Sequence, residues 1–320
     1  MIVGKKINQF FLFFVFMLPF ILAYISIFIL SMDTALDRFD YLKLMNPNIE
    51  TRVEPLLPFI SYTFNFLVSE YYYKLILIQL IFLFLFLLSL YKYFEPKDIT
   101  SLSNVFFAFL LCLIVFANPF GVQLRMGYAT ILFIFLIVFF KRPYFFLIIP
   151  FFMHFGTIFS ILFFIYFSIL KINNGRKFLL NSFFSLSILT LFFLYIEKFF
   201  EIIGISAYYY NYLSEDAEFG RTFPYSVIFY LIVCFYNLFF IKDKGNKYYW
   251  FSLSGLWLVY VGFILDFYLA FKMLVPISMF ALLYMLKNFP KEKNPYIYIM
   301  TAYILSPITF YYFALQVGIF

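Results

Sequence analysis

Residues 118–142, NPFGVQLRMGYATILFIFLIVFFKR, pass from a Pro- and Gly-containing turn through one arginine into an apolar run that stops at Lys141 and Arg142. Residues 143–170, PYFFLIIPFFMHFGTIFSILFFIYFSIL, follow directly and hold the only histidine of the chain, His154. These two runs decide the class. A stretch of about 18 or more apolar residues is a membrane-span candidate, and such stretches recur along the whole chain. Of 320 residues 55 are Phe, 65% are hydrophobic and 12% are charged. Strand alternation is absent, which argues against a β-barrel. No polar stretch is long enough for a separate soluble domain. We therefore expect an all-α polytopic membrane protein with a single integral membrane domain over residues 1–320.

The net charge is +7. The lysines and arginines sit mostly in short links between apolar runs, so they report topology. They form no groove-sized basic face, so nucleic acid is not an expected partner. Cys112 and Cys234 lie inside apolar runs and read as small buried hydrophobes. No Cys/His spacing fits a metal site, and no cofactor is expected.

Taken in order, the first run covers about residues 9–31, with its amino terminus inside. An acidic outer loop, about 32–73, contains Asp40 and Glu54; its end, from Pro55, has interfacial character. Spans are expected at about 74–93 and 102–117, and Arg125 opens the next, which ends at Lys141. Read as one span, 143–170 would place Lys171, Arg176 and Lys177 outside, against the positive-inside rule. Two short helices broken near Pro150, His154 and Gly156 avoid this, and that is the arrangement we expect. Spans at about 178–200, 224–241 and 248–265 follow, with an aromatic, acidic outer loop at about 201–223. The stretch 267–286, with Lys272 near its outer end, and 295–318 complete about ten or eleven membrane segments.

Ionisable groups in such surroundings are costly and mark functional sites. Arg125, Arg221 and Lys272 are cations at outer helix ends, suited to phosphate or pyrophosphate. Tyr210 belongs to a tyrosine run suited to sugar rings or to the headgroup zone; Tyr128 lies one turn beyond Arg125. His154, Asp40 and Glu54 are the candidate acid–base groups. Each also has a plainer reading: a packing histidine, an interfacial anchor, or a solvated loop carboxylate. Together they point to a site for a lipid-linked, phosphate-bearing, sugar-containing molecule, opening outward.

Four short motifs resemble the EpsG-like and Wzy-type polysaccharide polymerases of bacterial surface-glycan assembly. They are Asp40-Tyr41 followed by Glu54-Pro55, and Arg125 with Gly127, Ala129 and the basic pair at 141–142. The third is a Phe-His step followed by small or aliphatic residues, here FFMHFGTIFS, with Met153 before His154 where the family commonly has Phe. The fourth is a late span-opening cation, here Lys272 where the family has Arg. The resemblance implies a GT-C-like integral membrane glycosyltransferase of the bacterial inner (cytoplasmic) membrane, independent of metal. Its donor and acceptor would be undecaprenyl-pyrophosphate-linked glycans, joined on the outer face, and a chain-length regulator membrane protein would be a plausible partner. In that scheme Arg125, Arg221 and Lys272 meet the pyrophosphate, and His154, Asp40 or Glu54 activates the acceptor hydroxyl. The rival classes are a flippase for lipid-linked oligosaccharide and a membrane acyltransferase acting on surface glycan.

Overall fold

The computed structural model describes residues 17–18, 21, 24–25, 28–29, 41–43, 55–94, 123–203, 225–241, 244–265 and 268–288. Among these the regular elements are all helical and there is no strand. The chain clusters into two compact units, residues 1–157 with 286–320, and residues 158–285. The expected spans at 102–117 and 295–318 and nearly all of the loop at 201–223 lie outside the described residues, as do parts of 9–31.

In the first unit, α1 (Leu56–Thr63) and a 3-10 turn (Phe64–Phe66) precede α2 (Tyr71–Tyr93). α2 runs for 23 residues without Gly or Pro, so nothing interrupts its hydrogen-bond ladder. It stops at Phe94, which is extended, shortly before Pro96. Lys287, which clusters with this unit, donates to the Tyr93 carbonyl at 2.5 Å and lies 4.6 Å from that ring. A cation suits the negative end of a helix. α3 (Leu124–Phe139) packs along α2. The Tyr128 ring stacks on Phe82 at 4.3 Å, and its hydroxyl donates to Gln79 Oε1 at 2.6 Å. The short α4 (Ile148–Met153) packs against α3.

The second unit contains α5 (Ile158–Ile169), α6 (Gly175–Leu194), α7 (Ile196–Ile203), α8 (Tyr225–Phe240), α9 (Lys247–Leu253), α10 (Gly255–Ile264), α11 (Tyr268–Lys272) and most of α12 (Val275–Lys287). α5 and α6 form an antiparallel hairpin. At its turn Lys171 takes a left-handed φ of 48° and Ile172 N–H reaches back to the Phe167 carbonyl, a Schellman-type stop. Asn174 then caps α6 by accepting from Lys177 N–H at 2.9 Å, as N-cap residues do. Trp257 of α10 stacks on Phe167 at 5.5 Å and Phe178 at 5.4 Å, and its indole N–H donates to Ser182 at 2.9 Å.

Three expected spans in this unit are broken. The stretch 248–265 is divided at Ser254, where Ser252 and Ser254 hydroxyls donate to the carbonyls of Tyr249 and Phe251. Such local side-chain bonds compete with the helix ladder. The stretch 267–286 is divided at Met273–Leu274, ahead of Pro276, whose ring would clash with the carbonyl of Lys272 in a continuous helix. The expected span at 178–200 likewise ends at Leu194, and α7 restarts at Ile196.

Gly255 fills the corner of the first break. A Cβ there would lie 2.5 Å from Leu274 and 2.6 Å from the Tyr230 hydroxyl. Tyr230 cannot easily yield, because it donates to the Ser252 carbonyl at 2.7 Å. Gly255→Ala should therefore destabilise the protein by about 1–3 kcal/mol, read as a lower midpoint of thermal unfolding in detergent. An unchanged midpoint would show that this corner has slack.

Among the described residues two helices, α2 and α6, are long and apolar enough to cross a membrane; α3, α12 and residues 155–169 and 227–240 are apolar but shorter. On α6 the buried seam is Phe178, Ser185, Leu189 and Phe193. The outer face carries Leu179, Leu180, Phe183, Phe184, Ile188 and Leu191, all exposed, with Phe183 at 80%. A helix in water places polar residues there, and an apolar face this broad needs hydrocarbon or another protein over it. The chain is thus a helical protein with membrane-associated character.

Candidate functional site

Arg125 is the second residue of α3 and is partly buried. Its guanidinium carbon lies 5.9 Å from the Tyr41 ring centroid. The amino end of a helix carries partial positive charge and favours an anion, and residue Gln123 offers no side-chain cap to the first turn. A guanidinium at the amino end of a helix is suited to an oxyanion.

His154 stands where the sequence suggested a break. α4 ends at Met153, His154 is extended (φ −157°, ψ 124°), and a 3-10 turn (Phe155–Thr157) leads into α5. The imidazole makes the break. Its Nδ1 accepts the Gly156 N–H at 2.9 Å, as an N-cap side chain would. The His154 carbonyl accepts both the N–H and the hydroxyl of Thr157, at 3.1 and 2.9 Å. With Nδ1 accepting, the neutral ring carries its proton on Nε2, so Nε2 is the donor nitrogen.

Gly156 shows where this ring sits. A Cβ on Gly156 would run into the Met126 methyl and approach His154 Nδ1 to 3.0 Å. Met126 is the neighbour of Arg125 in the first turn of α3, and α3 packs against both α4 and the 3-10 turn. The histidine break and the arginine turn therefore meet at one end of α3. Gly156→Ala should displace the imidazole and cost about 1–3 kcal/mol. Adding Met126→Ala should relieve part of that cost, measured as a double-mutant cycle on thermal stability. Additive losses would mean that the two side chains do not compete for the space.

The other expected site residues fall elsewhere. Tyr128 is fully buried, tied to Gln79 and stacked on Phe82; the structure gives it the work of joining α2 to α3. Lys272 lies in the second unit as the last residue of α11, partly buried, before the break. Asp40, Glu54, Arg221 and Tyr210 lie outside the described residues.

Sequence reasoning missed two polar residues of α2. Lys74 and Gln79 are 1% and 4% exposed within the apolar run YYYKLILIQL. The same cost argument that singled out Arg125 applies to both. Lys74 escaped because a lysine near a span end reads as an anchor.

Comparison with known proteins yields no match: no family model, no curated protein and no solved structure aligns with this chain.

Proposed function

We propose that this protein is a multi-pass bacterial inner-membrane glycosyltransferase that joins undecaprenyl-pyrophosphate-linked oligosaccharide repeats into a surface polysaccharide on the outer face. The observation that carries this reading is that Met126, the neighbour of Arg125 in the first turn of α3, lies against Gly156 in the turn that follows His154, in a helical protein with broad exposed apolar faces. In the transfer, the acceptor sugar oxygen forms a bond to the donor's anomeric carbon. The bond from that carbon to pyrophosphate breaks, and the electron pair leaves with the lipid pyrophosphate. Arg125 meets the charge that develops on the leaving group, where preorganised donors act most strongly. The acceptor proton passes to a general base. His154, with Nδ1 engaged by Gly156, acts as an Nε2–H donor that orients a substrate oxygen, and Asp40 or Glu54 takes the base role. Metal independence is part of the proposal, with side-chain cations in place of a divalent ion.

The test is direct. Purified protein in detergent, given a lipid-pyrophosphate-linked repeat from its host with chelator present, should produce a ladder of lengthened glycans. Single repeats left unchanged by folded protein, together with movement of labelled repeats across liposomes, would replace this reading with the flippase.

A further inference from the structure

Lys74, on α2, was not among the expected cations. It is 1% exposed. Its ammonium donates to Asn65 Oδ1 and lies 5.0 Å from the Tyr71 ring centroid. Both partners are neutral. An ammonium has three protons to donate, and a buried charge without a counter-charge is strongly unfavourable. Among the described residues of this unit the one carboxylate is Glu70, which is exposed at the N-cap position of α2.

The position adds to the cost. Lys74 is the fourth residue of α2, at the positive end of the helix, and the Glu70 side chain makes no cap to the first turn. Further along the buried face of α2, Gln79 has its Oε1 taken by Tyr128 while its Nε2 has no acceptor. The Lys74 ammonium carries three protons, of which Asn65 Oδ1 accepts one. A phosphoryl group presents three or more acceptor oxygens, and lysine meets it as a point charge.

We infer that Lys74 binds a phosphoryl oxyanion at the amino end of α2. Its identification as the second cation for the lipid pyrophosphate rests on the function proposed above; the anion site itself does not. Asn65 positions the ammonium, and Arg125 holds the corresponding place on α3.

Binding of labelled polyprenyl pyrophosphate to the purified full-length protein in detergent tests this without any turnover. Wild-type protein should bind saturably. Lys74→Gln should weaken binding by about tenfold or more, the usual effect of losing a charge-assisted hydrogen bond, and Lys74→Arg should stay close to wild type. Asn65→Asp guards against a folding artefact, because it keeps the lysine and sets a carboxylate against it. That protein should fold at least as well as wild type and also bind about tenfold more weakly. Unchanged binding in both Lys74→Gln and Asn65→Asp overturns the inference. Competition by inorganic pyrophosphate supports a phosphoryl site; competition by anionic phospholipid alone assigns the site to bulk lipid and overturns the substrate assignment. Lys74-dependent binding without a glycan ladder would sink the polymerase and leave the anion site standing. A ladder with Lys74-independent binding would do the reverse.

Discussion

His154→Asn protein should fold like wild type and fail to polymerise, losing about a hundredfold or more in rate. The substitution separates two roles. Asn is among the best N-cap residues, so its side-chain oxygen can take over the Gly156 N–H that His154 Nδ1 accepts at 2.9 Å. It cannot place a donor where the imidazole Nε2 stands. His154→Ala removes both and should add a stability loss of about 1 kcal/mol, the ordinary cost of a lost cap. Measuring ladder formation alongside thermal midpoints for the two variants distinguishes the roles. Full activity in His154→Asn would reduce the histidine to a cap.

Arg125→Ala should lower the rate of chain extension by about a hundredfold to a thousandfold, and Arg125→Lys should recover only a small part of it. Lysine restores the charge but not the planar fork that grips two phosphoryl oxygens. A topology anchor makes the opposite forecast. An anchoring cation needs only to reach the interface, and lysine does that as well as arginine. Initial rates across a range of donor concentrations decide between them, and wild-type kinetics in Arg125→Lys would remove the clamp. The position of Arg125 in the first turn of α3 weighs against the anchor, since a cation there gains nothing from the helix dipole.

Composition and interruption made much of the fold legible. α2 was expected at about 74–93 and spans Tyr71–Tyr93; α3 was expected from Arg125 and starts at Leu124. The break at His154 was readable because Pro150, His154 and Gly156 interrupt a run otherwise free of such residues. The breaks at Ser254 and Met273 were not. Both lie in runs whose overall hydropathy reads as one span, and they fall at serine hydroxyls turned onto nearby carbonyls and just ahead of Pro276. Hydropathy is blind to either cause. At the site, the rarity of Arg125 and His154 marked them at once. The burial of Lys74 could not be read, because a lysine that reaches water and one enclosed by protein look alike in sequence. Tyr128, one turn from Arg125, has its ring stacked on Phe82 and its hydroxyl bonded to Gln79, a packing role that its place in the sequence does not reveal.

The aromatic cluster around Trp257 has a spectroscopic consequence. The chain has two tryptophans, Trp250 and Trp257, and they are 7% and 3% exposed within the second unit. Intrinsic tryptophan emission therefore reports directly on residues 158–285. It will follow the loosening of the α5–α6–α10 packing, and neither indole lies in the unit that holds Arg125, His154 and Lys74. An unfolding curve recorded by that emission could look wild-type for a variant whose anion site has collapsed. A reporter for the first unit has to be installed there, and Phe82, stacked on Tyr128 at 4.3 Å, is the place for an introduced indole.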